Sequence, residues 1–174
     1  MNHGQGRETG GIGRWMMILS WVLLLALMSY LFSDILERQH NPNEAPVTLR
    51  DDQGNTQVVL KRNRAGHYVA SGRINGHPVL FLLDTGATDV AISDELAEQL
   101  SLPRGRQVFS QTANGTVVAW QTRLSEVGLG EITLSDVRAS VLPTMAGNEV
   151  LLGMSFLKRL EWTQRGDELT LKKL

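Results

Sequence analysis

Ten residues, "FLLDTGATDV" (Phe81–Val90), decide how the rest of the chain is read. Phe81, Leu82 and Leu83 read as the end of a buried strand, and that strand delivers a carboxylate, Asp84. Threonine, glycine and alanine follow at once, which is turn chemistry. An acid pushed off the end of an apolar strand into a tight turn has two readings. Asp84 caps the turn through local backbone donors, as aspartates commonly do, or the fold holds it there to do chemistry. A bare Asp-Thr-Gly occurs by chance in roughly a few per cent of chains of this length. The tripeptide alone therefore leaves both readings open.

The chain has 174 residues, enough for one domain of ordinary size plus extra segments. Its 17 basic and 18 acidic residues nearly balance, and no basic stripe stands out, so no nucleic-acid partner is expected. It has no cysteine, which excludes disulfides and thiolate metal sites. The four histidines, His3, His40, His67 and His77, lack ligand spacing, so neither a metal nor any other cofactor is expected.

Upstream of that domain the composition changes. Residues 1–14 are Gly-rich and polar, and a disordered tail is predicted there. "WMMILSWVLLLALMSYLF" (Trp15–Phe32) then runs 18 residues without a charge. At helical rise that is roughly 27 Å, close to the hydrocarbon thickness of a bilayer. Trp15 and Tyr30 lie near its ends, where amphipathic rings favour the membrane interface. A signal peptide usually has a shorter apolar region and a small-residue cleavage site, which is not evident here. A core helix would show a polar stripe, whereas this segment has only Ser20 and Ser29. Residues 15–32 are therefore expected to form a single transmembrane helix. Arg7 and Arg14 precede it and Arg38 follows, a bias toward a cytoplasmic N-terminus and an exported, periplasmic C-terminal domain on the inner membrane. Residues 33–46, polar with two prolines, read as a linker.

From Val47 the pattern becomes short strands with frequent turns. Asp52-Gln53-Gly54-Asn55 and Asn75-Gly76 both sit between β-prone runs and predict hairpins. A helix is expected over Ser93–Leu100, with Ser93 as N-cap and Leu96, Ala97 and Leu100 on one face. Residues 106–143 read as three or four strands, a second short helix is expected at about Met154–Leu160, and a final hairpin turns at Arg165-Gly166-Asp167. The pattern predicts an all-β, closed or nearly closed β-barrel over 47–174 with one or two short helices.

The run Leu82-Leu83-Asp84-Thr85-Gly86-Ala87-Thr88 resembles the active-site motif of aspartic proteases. Further on, Leu151-Leu152-Gly153 before a short helix resembles the second hallmark of the retroviral type, two hydrophobics and a glycine that pack behind the catalytic loop. Between them, "TANGTVVAW" (Thr112–Trp120) resembles the flap over the substrate cleft. With three elements in the right order, the chain resembles the membrane-anchored bacterial branch of retropepsin-like aspartic proteases. The resemblance implies the acid protease fold and a peptide or protein substrate. It implies a catalytic Asp84-Thr85-Gly86, with the Thr85 hydroxyl bonded across to a partner loop. Substrate contacts would come from Ala87, Thr88 and Asp89 and from the flap tip, Ala113, Asn114 and Gly115. The family usually has aspartate directly after the alanine, where this chain has Thr88, so the backbone contacts made at that point are left open.

Peptide hydrolysis without a nucleophilic side chain needs one group to activate water and another to protonate the leaving nitrogen. Two carboxylates about 3 Å apart share one proton and so supply both. This chain has one such motif, since Asp51, Asp52, Asp136 and Asp167 lack a following Thr-Gly. A homodimer is the expected solution, with Asp84 from each copy meeting on a two-fold axis. The resemblance also implies that the last strand, "DELTLKKL" (Asp167–Leu174), pairs across the interface. The alternative is a catalytically inactive dimerisation or protein-binding module on the same fold.

Overall fold

The structure, a computed structural model, describes residues 9–51, 54–112, 115–145 and 147–174. The chain divides into two units, Met1–Arg38 and Gln39–Leu174.

Helix α1 spans Thr9–His40, and its stretch Gly13–His40 is long and apolar enough to cross a membrane. Trp15, Met17, Leu23, Leu25 and Tyr30 on it are exposed. The helix exceeds the expected 15–32 at both ends. The stretch assigned to a disordered tail is helical from Thr9 onward, while residues 1–8 lie outside the described residues. Its C-terminal extension has a plain cause: Leu36, Glu37, Arg38 and Gln39 are good helix formers. Pro42 then disfavours helical geometry at the residue before it and removes a donor, so the helix stops at His40.

The segment between α1 and the first strand is not a slack linker. Asn43 is buried; its Nδ2 donates to the carbonyls of Lys61 at 2.9 Å and Val69 at 2.7 Å, and its Oδ1 accepts from the Lys61 amide at 2.6 Å. Its own carbonyl accepts from Ser71 N–H at 3.0 Å. The expected linker 33–46 is thus helical as far as His40 and then tied at Asn43, which bridges to Ala70, because one amide side chain satisfies backbone groups of two distant strands.

The second unit is built from eleven strands among the described residues. Seven form one sheet: β3 (Val69–Ile74), β4 (His77–Leu83), β5 (Val90–Ser93), β6 (Gln107–Thr112), β7 (Gly115–Leu129), β8 (Ile132–Leu142) and β9 (Glu149–Leu152). Their order is β3-β4-β9-β5-β8-β7-β6, and β3 also pairs with β7 through Arg73–Gly128 and Ile74–Val127. That extra pairing closes six strands into a barrel and leaves β6 outside it, bonded to β7 alone. The Asn75-Gly76 hairpin joins β3 to β4 as its sequence predicts, with φ of 50° and 83° as a primed turn requires.

The other sheet has the order β1 (Val47–Arg50), β2 (Thr56–Lys61), β11 (Glu168–Lys173), β10 (Leu160–Arg165). The sequence leads one to expect the last strand to be free for pairing across an interface. It is instead an interior strand, since β2 and β10 of the same chain take both of its hydrogen-bonding edges.

Helix α2 (Asp94–Gln99) carries the predicted cap, the Ser93 hydroxyl accepting from Leu96 N–H at 3.2 Å. Leu96 and Ala97 are buried and Leu100 packs against the core. Helix α3 is one turn, Met154–Leu157, shorter than expected because Leu160 already pairs with Lys173 in β10. Phe81, Ile92, Leu124, Leu134, Leu152 and Phe156 are fully buried at the centre of one continuous core. Phe81 alternates with Leu82 across β4, so the strand that carries Asp84 is anchored in that core on one face.

Candidate active site

Asp84 stands directly after β4, where the apolar strand gives out. Strand β9 runs parallel to β4, with Leu82 beside Leu151 and Leu83 beside Leu152. The second hallmark therefore lies alongside the strand that ends in the acid, although the two are far apart in sequence. Leu152 and Gly153 are buried and Leu151 half-buried. The Asp84 amide donates to the Leu152 carbonyl at 3.2 Å, Met154 N–H to Ala87 at 2.8 Å, and Ser155 N–H to Thr88 at 2.9 Å. These bonds fix the loop 84–88 at one end onto the last residue of β9 and at the other onto the start of α3.

Gly153 is required by that contact. A Cβ at this position would overlap the Asp89 carbonyl oxygen and lie 2.7 Å from that of Ala87. Both are backbone atoms that cannot swing away, so only glycine lets the two segments meet.

The Asp84 carboxylate is half-buried, and its Oδ1 accepts from the Gly86 amide at 2.8 Å. The Ala87 amide closes the turn onto the Asp84 carbonyl at 3.3 Å. One carboxylate oxygen is thus held by the loop, and Oδ2 has no hydrogen-bond partner among the described residues. Gly86, Ala87 and Leu152 are the residues bonded to Asp84, and no second acid is among them. A carboxylate held this way can accept a proton or orient a water, but a reaction needing an acid and a base together is incomplete with it alone. Thr85 and Thr88 are exposed, and Ala87 is half-buried.

Asp89 sits five positions past Asp84 and turns toward β8, where its Oδ1 is 3.2 Å from Arg138 Nη2. Ser155 is the side chain that sequence reasoning missed. Buried at the start of α3, its hydroxyl accepts from Val90 N–H at 3.1 Å and donates to the Arg138 carbonyl at 2.7 Å. It ties together β5, β8 and α3 just behind the loop. No local pattern marks it, because its partners are 65 and 17 positions away.

The expected flap is a hairpin of β6 and β7. Strand β6 pairs with residues 115–120 of β7, whereas β8 pairs with β7 only from Trp120 onward. The first residues of β7, Gly115 to Ala119, therefore project with β6 as a two-stranded arm beyond the barrel. Val108 and Val117 of the arm pack against a small buried cluster of Ala91, Ala119 and Leu142, and Leu151 of the second hallmark packs against the same cluster. Gly115, with φ of 108°, pairs with Thr112 next to the tip. Ala113 and Asn114, expected to contact substrate, lie outside the described residues. Trp120 at the base is half-buried against the core and is stacked by Arg104 at 5.5 Å, a packing role.

Residues 70–159, just over half of the chain, match the family described as "gag-polyprotein putative aspartyl protease", and the matched span includes both hallmarks. The chain belongs to this aspartyl protease family. Its fold is retropepsin-like: it is similar to the crystal structure of a retropepsin-like aspartic protease from Rickettsia conorii, with a TM-score of 0.55 and 26% identity over 74% of this chain and 94% of that one. It is 33% identical over 180 residues to an uncharacterized protein in the cobV 5′ region of Sinorhizobium sp., covering 97% of this chain and 77% of that protein. An uncharacterized protein of Rickettsia prowazekii is 28% identical over 109 residues, 60% of this chain and 46% of its own length. The Sinorhizobium similarity extends beyond the aspartyl protease match into the apolar helix.

Proposed function

We propose that this aspartyl protease family member is a membrane-anchored endopeptidase, in which Asp84 of two copies forms one active site. The observation that carries the reading is the state of Asp84. A rigid strand and a clamped loop hold one of its oxygens and leave the other open, with no second acid bonded to it. A two-fold axis beside Asp84 would bring a second carboxylate from an identical loop. The pair would share one proton, the ionised member drawing a proton from water and the protonated member delivering one to the leaving nitrogen. The reading gives Thr85, exposed beside Asp84, the role of bonding the partner's loop. The arm of β6 and β7 would cover a bound peptide, with Ala87, Thr88, Asp89 and the tip 113–115 contacting it.

Helix α1 would anchor the protein, with the catalytic domain on the exported side of the inner membrane. Its length and apolar composition support this, together with the weak basic bias before it. Two anchors in one bilayer would also raise the effective concentration of the two domains.

The test is cleavage of a peptide library by the detergent-solubilised full chain, wild type against Asp84→Asn, from acidic to neutral pH. The proposal expects cleavage by the wild type alone and its inhibition by a pepstatin-like transition-state mimic. Equal background in both proteins would assign the fold to protein binding instead.

A further inference from the structure

Among the described residues three strands are bonded to one neighbour alone: β1, β6 and β10. An open edge is a row of unpaired N–H and C=O groups, a template for a further strand. On β10 every residue from Glu161 to Arg165 is exposed, and no proline blunts the edge. Trp162, opposite buried Leu171 in register, lies on the core side of the sheet yet is 48% exposed. The sheet stops before its ring is covered.

The charges say what fits this edge. On the face turned away from the core, one row across the sheet runs Lys61, Glu168, Arg165 and another runs Gln57, Lys172, Glu161. Signs alternate along each row, and the two rows reach the open edge with opposite charges. Such an edge complements itself. A second β10, turned through 180° about Thr163, sets its Glu161 opposite Arg165 and its Arg165 opposite Glu161. Both rows then continue into the partner's sheet with alternating sign, the arrangement that stabilises cross-strand pairs. The other two edges lack this property. Strand β6 carries no charge, and β1 carries only Arg50, which lies 3.6 Å from Glu131 of its own chain.

The backbone selects the same register. Arg165 and Glu168 flank a two-residue turn, Gly166-Asp167, and so form a hydrogen-bonded pair of the hairpin. Alternation turns the N–H and C=O of Trp162 and Gln164 to the open edge. Centred on Thr163, the pairing sets Trp162 opposite the partner's Gln164, so these outward groups meet one another. It also makes the two Trp162 rings diagonal neighbours, which covers the surface the edge leaves bare. Centred on Trp162 or on Gln164, the backbone still matches, but Glu161 or Arg165 then faces threonine.

We propose that β10 is the strand through which two copies of this chain join, antiparallel about a two-fold axis at Thr163, making one sheet of eight strands. The proposal rests on the two-copy reading of Asp84 for its partner. The carbonyls of Ala87 and Thr88 are bonded to the first two residues of α3, and β10 begins three residues after α3 ends. That path is at most roughly 16 Å, short enough for one axis to serve both the edge and the loop.

The experiment uses the detergent-solubilised full chain, which has no cysteine of its own. Thr163→Cys should form a disulfide-linked dimer readily on mild oxidation. Its non-hydrogen-bonded pairing places the two Cα atoms about 4.5 Å apart, within disulfide reach. Thr170→Cys, one strand inward, and Val47→Cys, on the opposite edge, should link more slowly by about tenfold or more. Glu161→Arg or Arg165→Glu alone sets like charges opposite one another and should weaken association, read by sedimentation, by about tenfold. The double reversal should restore it. Within one chain the double reversal leaves both residues facing like charges, Lys172 and Glu168, so a rescue can come only from across the axis. Rapid linking at Thr163 in a protein that cleaves no peptide would uphold the interface and overturn the protease reading. Linking at Thr163 no faster than at Thr170 or Val47, or a double reversal no better than the singles, would overturn the interface. Cleavage that still required two copies of Asp84 would then leave the protease reading standing.

Discussion

The amide of Asp84 donates to the carbonyl of Leu152 at 3.2 Å, so the acid and the second hydrophobic-glycine hallmark are bonded neighbours. Strand β9 is thereby part of the mount that sets the carboxylate's position. Buried Gly153, the next residue, is the tightest point of that mount.

Gly153→Ala should therefore damage stability and activity together. The added methyl meets two backbone carbonyls and forces the loop away, at a cost of about 1–3 kcal/mol for overpacking. Urea unfolding should show a lower midpoint, and peptide cleavage should fall by more than the folded fraction accounts for. An unchanged midpoint with unchanged cleavage would show that loop and α3 are not coupled.

Ser155→Ala removes the hydroxyl that serves the Val90 amide and the Arg138 carbonyl. Leaving buried backbone groups unpaired costs about 1–3 kcal/mol. The expected result is a lower urea midpoint with the unfolding slope retained, which separates lost stability from a change in compactness.

Asn43→Ala tests the segment whose composition reads as a linker. Its side chain satisfies the Lys61 amide and the Lys61 and Val69 carbonyls, and its loss should cost about 2 kcal/mol or more. A truly slack linker would tolerate the change within about 0.5 kcal/mol, as surface positions do.

Lys172 gives a pH prediction. Its hydrogen bond to Asp51, at 2.8 Å, together with the attraction of Asp51 and Glu161, holds its ammonium above the usual lysine value of 10.5. A group whose pKa is raised by folding contributes stability that is fully present below the unfolded value and lost as pH rises through the folded one. Tm should thus fall in the strongly alkaline range above 10.5, and Lys172→Met should fall less steeply there. Identical alkaline profiles for the two proteins would contradict the pairing.

Much of the fold and of the loop around Asp84 is legible in the sequence because the deciding signals are local. Asn75-Gly76 dictates a primed turn, Ser93 caps α2, and Leu82-Leu83-Asp84-Thr85-Gly86 announces a strand that delivers an acid into a turn. The hidden features depend on partners distant in sequence. Nothing near Asn43 shows that it will find Lys61 and Val69, so polar residues with two prolines read as slack. The family resemblance implies that the last strand pairs across an interface, yet the place of β11 is set by register with β2, more than a hundred residues earlier. Ser155 and Thr122 are unremarkable in sequence, and only the packing of β5, β7 and β8 makes one hydroxyl a bridge and leaves the other unpaired.

The central claim, that two copies of Asp84 make one site, is tested most directly by mixing. Wild type and Asp84→Asn are co-expressed at a series of ratios, and the activity per total protein is plotted against the wild-type fraction. If both carboxylates are needed, mixed dimers are inactive and activity follows the square of that fraction, roughly a quarter at equal amounts. A straight line, with half the activity at equal amounts, would contradict it.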